Sequence, residues 1–270
     1  MAKQADKAAA WWEARADLSW FESRSFMPVD VVDFRNFYAQ PLGHVARRLI
    51  AHAIRRRWAD TRGMSLVGLG YATPYLGLFR QEVERTFALM PAAQGVVKWP
   101  SAAPTLAALV EETFLPLADA SVDRVLAVHA LEMTVHAPDM LQEVWRVLAA
   151  GGRLLMVVPN RRGLWARIDT TPFGHGRPFS RGQLVELLRE ALFTPVGWGE
   201  ALWVPPFDRA VFLRTAVAWE RTGATLSLPF AGVHIVEATK QVWRPVPVRR
   251  RLVPVLDSVL APAAPGPAGA

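Results

Sequence analysis

Two glycines give the chain its first chemically suggestive stretch. Gly68 and Gly70 close a short apolar run, Ser65-Leu66-Val67-Gly68-Leu69-Gly70, which continues as Tyr71-Ala72-Thr73-Pro74-Tyr75-Leu76-Gly77. The pattern predicts a strand, a small-residue turn and a helix starting near Pro74. Glycine allows positive φ and close approach of a ligand to the backbone, and proline suits the first turn of a helix because its missing N–H would be unpaired there. Free N–H groups and the helix dipole would converge on one point, which suits a nucleotide. The third glycine of a GxGxxG pattern would fall on Thr73, so the dinucleotide fingerprint is not met. The same residues also read as a tight strand-to-helix turn with no ligand.

Other chemistries are narrowed by composition. The 270 residues include no cysteine, which removes disulfides, thiolate catalysis and cysteine metal sites together. The six histidines show no HxxxH or HxxxxH spacing, so no metal centre is expected. Lysine and arginine number 31 against 24 acidic residues, a net charge of +7, with clusters at Arg55-Arg56-Arg57, Arg161-Arg162 and Arg249-Arg250-Arg251. These patches would meet nucleic acid, an anionic membrane or an acidic partner; they also read as solvated helix faces and tails. Hydrophobic residues make up 51% and charged ones 20%, enough for a substantial core. No apolar run approaches the ~20 residues of a membrane-crossing helix, and no secretory signal is recognisable, so a cytosolic protein is expected.

The elements that would position this chemistry follow the hydrophobic periodicity. Residues 1–28 form a leader in which Trp11, Ala14, Leu18 and Phe21 share a helical face, either a docking helix or a poorly ordered end; a true start at Met27 is a further possibility. Helical spacing from Phe34 to Trp58 is expected to break at Pro41 and Gly43. After the glycine turn a helix is expected to about Arg85, then a strand Thr86–Met90, a run Thr105–Val110, a strand Val122–Val128, a helix Met140–Leu148 and a strand Arg153–Val158. An irregular segment from Pro159 to Phe179 precedes a helix from Ser180, a good N-cap, to Leu192. Strands near 196–204 and 232–237 flank a helix over 210–222, and Trp198, Trp203, Trp219 and Trp243 read as core and rim packing. Prolines 245, 247 and 254 open a flexible tail. Apolar strands alternating with helices argue for a parallel sheet buried on both faces.

The middle of the chain resembles the class I S-adenosylmethionine-dependent methyltransferases, in particular the type 11 group. The residues that carry the resemblance are Leu115-Pro116-Leu117-Ala118-Asp119-Ala120-Ser121-Val122-Asp123-Arg124-Val125, Ala130-Leu131-Glu132, Leu141 to Leu148, Gly151-Gly152-Arg153-Leu154-Leu155 and Val158-Pro159-Asn160. The resemblance spans about Val67 to Phe193. It implies an α/β fold: a doubly wound, mostly parallel seven-stranded sheet with helices on both faces, Rossmann-like, over residues 29–243, with 244–270 as a tail.

It also implies S-adenosylmethionine as cofactor, held by Gly68, Leu69, Gly70, Tyr71, Met90, Glu111, Glu112 and His129. Several of these depart from the family pattern. The acid that normally ends the first strand falls on Gly68, and the later glycines fall on Ala72 and Pro74. The ribose-binding carboxylate falls on Met90, which cannot accept hydroxyl hydrogen bonds, and the adenine-contacting acid falls on Glu111 with Glu112 beside it. Two lost interactions at ~1–3 kcal/mol each would weaken binding tens- to thousands-fold.

His129 is the candidate catalytic base at the ligand edge of the sheet, and also reads as a packed strand-end histidine. His136, four residues after Glu132, is expected to interact with it locally. Asn160, Arg161, Arg162, Trp165, His175 and Arg177 form a candidate lid for an anionic or planar acceptor, and also read as a basic surface loop pinned by Phe173 and Phe179. The expectation is methyl transfer to an unidentified small-molecule or protein acceptor. A catalytically inactive scaffold meeting a protein partner through its termini is the alternative. Nucleic-acid binding through dispersed basic patches is the weaker third.

Overall fold

The computed structural model describes residues 29–226, 229–240 and 242. The expected leader helix, the proline tail, Trp243 and Arg249–Arg251 lie outside the described residues.

Parallel strands dominate because long Val/Leu/Ala runs can be buried only between two layers of helices. The elements are α1 (Val31–Ala39), α2 (Pro41–Arg57), β1 (Ser65–Gly70), α3 (Thr73–Leu76), β2 (Arg85–Pro91), β3 (Ala107–Val110) and β4 (Val122–Val128). There follow α4 (Ala137–Val147), β5 (Leu148–Pro159), α5 (Arg181–Glu190), β6 (Phe193–Ala201), α6 (Ala210–Thr225) and β7 (Val233–Lys240). The seven strands lie in the order β3-β2-β1-β4-β5-β7-β6. The first five are parallel, and β7 runs antiparallel to both β5 and β6. The expected fold class is the one observed.

Two apolar cores form, one on each face of the sheet. Phe34, Phe37 and Tyr38 of α1 and Ile50 and Ile54 of α2 join Leu66, Leu126 and Ile235 on one side. Met140, Leu141, Val144 and Val147 of α4 and Leu184 and Leu188 of α5 join Val67, Val125 and Leu154 on the other. The three- and four-residue spacing in α4 is the periodicity of a helix with one buried face. Arg146 ties the chain entering β4 to this helix: its guanidinium binds Glu143, Asp119 and the carbonyls of Leu115 and Leu117. The helix from Ser180 has the expected N-cap, completed by Gln183 into a reciprocal capping box.

Two expectations fail locally. The helix expected to reach Arg85 is a single turn, α3; Leu78 and Phe79 donate three residues back, to Tyr75 and Leu76, and the chain enters irregular turns. Gly43 does not break α2. It lies inside the helix, where an added Cβ would come within 1.9 Å of the Phe37 carbonyl, so glycine is what lets the α1–α2 corner close.

Beyond β6 the chain turns at Leu202 with a left-handed backbone, φ 65°. The Glu220 carboxyl of α6 accepts from the N–H groups of Leu202 and Trp203 across this turn. Burial raises its pKa to about 7, against the lowering effect of those two donors. The folded state therefore holds this proton more tightly than the unfolded chain. Its contribution to stability is fully present below the ordinary glutamate value of 4.5 and is lost as pH rises from there through about 7. The loss should be about 1–2 kcal/mol after solvent screening. Urea unfolding across that window should show the decline, and Glu220→Gln should flatten it.

Candidate functional site

Open α/β sheets bind ligands beyond the carboxyl ends of their strands where strand order reverses, here between β1 and β4. Gly70 ends β1 with φ 76°, and an added Cβ would lie 2.5 Å from the Val128 carbonyl oxygen, so this glycine is required. At Gly68 a Cβ would lie 2.7 Å from Leu76 Cδ1 and 2.9 Å from the Ala72 methyl. The space an acid would need at the end of this strand is filled by α3. Ala72 keeps φ at −85°, an ordinary value for alanine.

The centre of this edge is His129. It follows β4 with a left-handed backbone, φ 50°, and is wholly buried. Its Nδ1 lies 3.0 Å from Glu132 Oε1 and its Nε2 lies 2.9 Å from the Tyr38 hydroxyl, which lies 3.0 Å from the Tyr75 hydroxyl. One assignment satisfies the chain: Tyr75 O–H donates to Tyr38, Tyr38 O–H donates to Nε2, and Nδ1–H donates to the Glu132 carboxylate. Burial raises the Tyr38 and Tyr75 pKa values well above that of a free phenol, so both hydroxyls keep their protons. Glu132 Oε2 has no hydrogen-bond partner among the described residues. Gln94, in the turn after β2, donates to the His129 carbonyl at 2.6 Å and accepts from the Val31 N–H at 2.7 Å, which links β4 to the start of α1.

Aromatic rings fill the rest of the crevice. Tyr71 lies nearly parallel to Phe34, with centroids 5.0 Å apart, and to Tyr38, 5.7 Å apart. Phe34 and Phe173 flank the His129 ring at 4.7 and 4.8 Å. All are buried. Met90, where a ribose-binding carboxylate would stand, is also buried, and its sulfur accepts from the Val97 N–H at 3.4 Å. With α1 seated, these residues do not fit an adenosyl group: its volume is taken by Phe34, Tyr38 and Tyr71, and its ribose would find no carboxylate.

The predicted site residues separate accordingly. Gly70, Tyr71, Met90 and His129 meet at the crevice, with Gly68 just behind. Leu69 faces the opposite core. Glu112 is buried and accepts from Thr134 at 3.0 Å. Glu111 is exposed and lines a separate open hollow beside His136 and Asp139. Local pairing of His136 with Glu132 does not form; Glu132 is engaged by His129, and His136 approaches Asp139 instead.

In the segment after β5, Asn160 and Trp165 are buried braces, donating to the carbonyls of Ala231 and Val204. Arg161 and Arg162 are exposed. His175 Nε2 lies 2.8 Å from the Asp169 carbonyl, and the Arg177 N–H donates to the Glu132 carbonyl. The segment does cover the edge, but through Phe173 and backbone contacts. Sequence reading missed Phe34, Tyr38, Tyr75 and Gln94; the helical repeat of Phe34 and Tyr38 signalled burial but not the partner. Glu132, three residues after His129, was the one polar partner within sight.

The sheet order and the glycine-ended first strand define a class I methyltransferase fold. The family model described as "Methyltransferase domain" matches residues 57–156. Over those residues the chain is similar to that methyltransferase domain. Among solved structures it is similar to the complex of the Haloferax volcanii Trm112 methyltransferase activator with a methyltransferase, at 20% identity and TM-score 0.57 over 77% of this chain and 98% of that one. It is also similar to a SAM-dependent methyltransferase of Thermotoga maritima, at 16% identity and TM-score 0.56 over 78% and 96%. The [4+2]-cyclase SpnF aligns at 21% identity and TM-score 0.53 over 72% and 80%. No curated protein matches the chain.

Tyr38→Phe would leave His129 Nε2 and the Tyr75 hydroxyl buried without their shared partner. It should destabilise the fold by about 1–3 kcal/mol, measured by urea unfolding. A loss below about 0.5 kcal/mol, the scale of an ordinary surface substitution, would show that the network is not formed.

Proposed function

We propose that this chain transfers a methyl group from S-adenosylmethionine to an acceptor not yet identified, and that it takes up the cofactor only when α1 leaves the carboxyl edge. The observation that supports this reading is that one short helix closes the crevice. Three aromatic side chains of α1, the Val31–Gln94 backbone contact and the Tyr38–His129 hydrogen bond hold it there. Beneath it lies the strand order of the superfamily. His129 and the Pro159–Phe179 segment would then face the acceptor, the histidine as base and the arginines around it as anion contacts.

A second reading is favoured by Met90 and by the side chains packed over Gly68: a catalytically inactive descendant that serves as a scaffold for a protein partner, meeting it through residues 1–28 and 244–270. Residues 29–243 would be the single folded domain in either case. The Trm112 activator found with the Haloferax volcanii structure is consistent with partnering on such a fold.

Calorimetric titration with S-adenosylmethionine and S-adenosylhomocysteine separates the two. The full chain should bind weakly, near millimolar, and Phe34→Ala should tighten binding by about tenfold or more by emptying the crevice. Tyr38→Phe, which removes the side-chain hydrogen bond from α1 to His129 without opening an apolar cavity, should act in the same direction. Absence of binding at millimolar ligand in all three proteins would overturn the transferase reading and leave the scaffold.

A further inference from the structure

A second cavity lies away from the carboxyl-edge crevice, over the edge strand β6. It is an open groove of about 860 Å³ between α2, β6 and the end of α6, within the size range of small-molecule sites. Gly199 and Ile235 form its floor, Arg56 and Arg57 of α2 one wall, and Trp203 and the chain beyond α6 the other. We propose that this groove binds a small planar anion, an aromatic ring carrying a carboxylate or phosphate.

Charge points to an anion. Arg56, Arg57 and Arg181 line the groove against a single carboxylate, Glu200, and that carboxylate approaches His234 Nδ1 at 3.3 Å. Arg56 is exposed, and no partner for it is described, whereas its neighbour Arg55 is held by Glu82 on another side of α2. A guanidinium presents a planar fork of donors that matches a carboxylate or phosphate in two-point contact.

Shape points to a flat ligand. Arg57 is spent on the protein itself: it donates to the Trp198 carbonyl and fills the space where a side chain at Gly197 would go. Arg181 lies 4.7 Å from the centroid of the Trp198 ring, so this arginine is already spread over an aromatic face. Trp203 occupies the space a side chain at Gly223 would need, which seats its indole against α6 with the ring partly exposed to the groove. At Gly199 the situation is reversed. A Cβ there would meet nothing nearer than Arg57 Nη2 at 3.5 Å, an ordinary contact. The fold does not require a glycine at this position, and its absent side chain leaves the groove floor open. Tryptophan walls with a bare floor suit a planar group, and the arginine rim suits its charge.

The test is titration of the full chain, by calorimetry and tryptophan fluorescence, with three probes: 2-naphthoate, adenosine monophosphate and the uncharged 2-naphthalenemethanol. One or both anions should bind, at least about tenfold tighter than the alcohol, and the stronger of them tells carboxylate from nucleotide phosphate. Arg56→Ala should weaken that binding about tenfold, one charge-assisted contact's worth. Gly199→Leu, filling the floor, should abolish it while leaving any S-adenosylmethionine binding unchanged, which keeps this site separate from the carboxyl-edge crevice. Should Gly199→Leu fail to fold, Arg56→Ala decides alone, since that side chain is exposed. Equal binding of the alcohol, no binding of either anion, or anion binding indifferent to Arg56→Ala would overturn the proposal.

Discussion

A histidine shut away from water, on a left-handed backbone, needs protein partners at both ring nitrogens, and the carboxyl edge of this sheet is built around that requirement. Burying an unpaired polar group costs about as much as the hydrogen bond it forgoes. His129 therefore commits Glu132 on one side and Tyr38 on the other. Tyr38 belongs to α1, so the polar demand of a residue after β4 fixes the position of a helix that begins the described chain. Once α1 is placed, Phe34 and Tyr71 stack and Phe173 closes over the imidazole. The aromatic rings fill the crevice, and the hydrogen bonds decide where they go.

The far edge of the sheet solves a different problem with the same economy. Among the described residues β6 is paired only with β7, and an exposed strand edge invites association with other chains. Arg57 crosses Gly197 and reaches the Trp198 carbonyl, so a charged side chain stands at that edge. The basic end of α2, which by sequence also read as a solvated helix face, divides its work. Arg55 pairs with Glu82, Arg57 guards the strand, and Arg56 faces the groove.

Much of the architecture was legible because apolar runs such as Val122–Val128 and Arg153–Val158 permit few alternatives to buried parallel strands, and Ser180 with Gln183 announces a helix start. The short α3 was not legible, since Leu76, Phe79 and Val83 keep a helix-like spacing while the backbone takes tighter turns. At the site, the lack of a carboxylate at Gly68 and at Met90 was plain from residue types alone. The filling of the crevice was not. It depends on Tyr38 meeting His129 from 91 residues away in the chain, a contact with no local periodicity. Gln94 was equally hidden, because its side-chain amide and backbone carbonyl serve two different elements at once.

The crowding behind Gly68 bears on which residues this strand end can accept. With Leu76 Cδ1 and the Ala72 methyl standing within 3 Å of where a Cβ would begin, an aspartate placed at that strand end would meet both before it could reach any ligand. Accommodating it demands changes on the facing turn. Leu76 can turn its side chain aside, but the Ala72 methyl moves only with its backbone, so the turn as well as the strand residue keeps a carboxylate out.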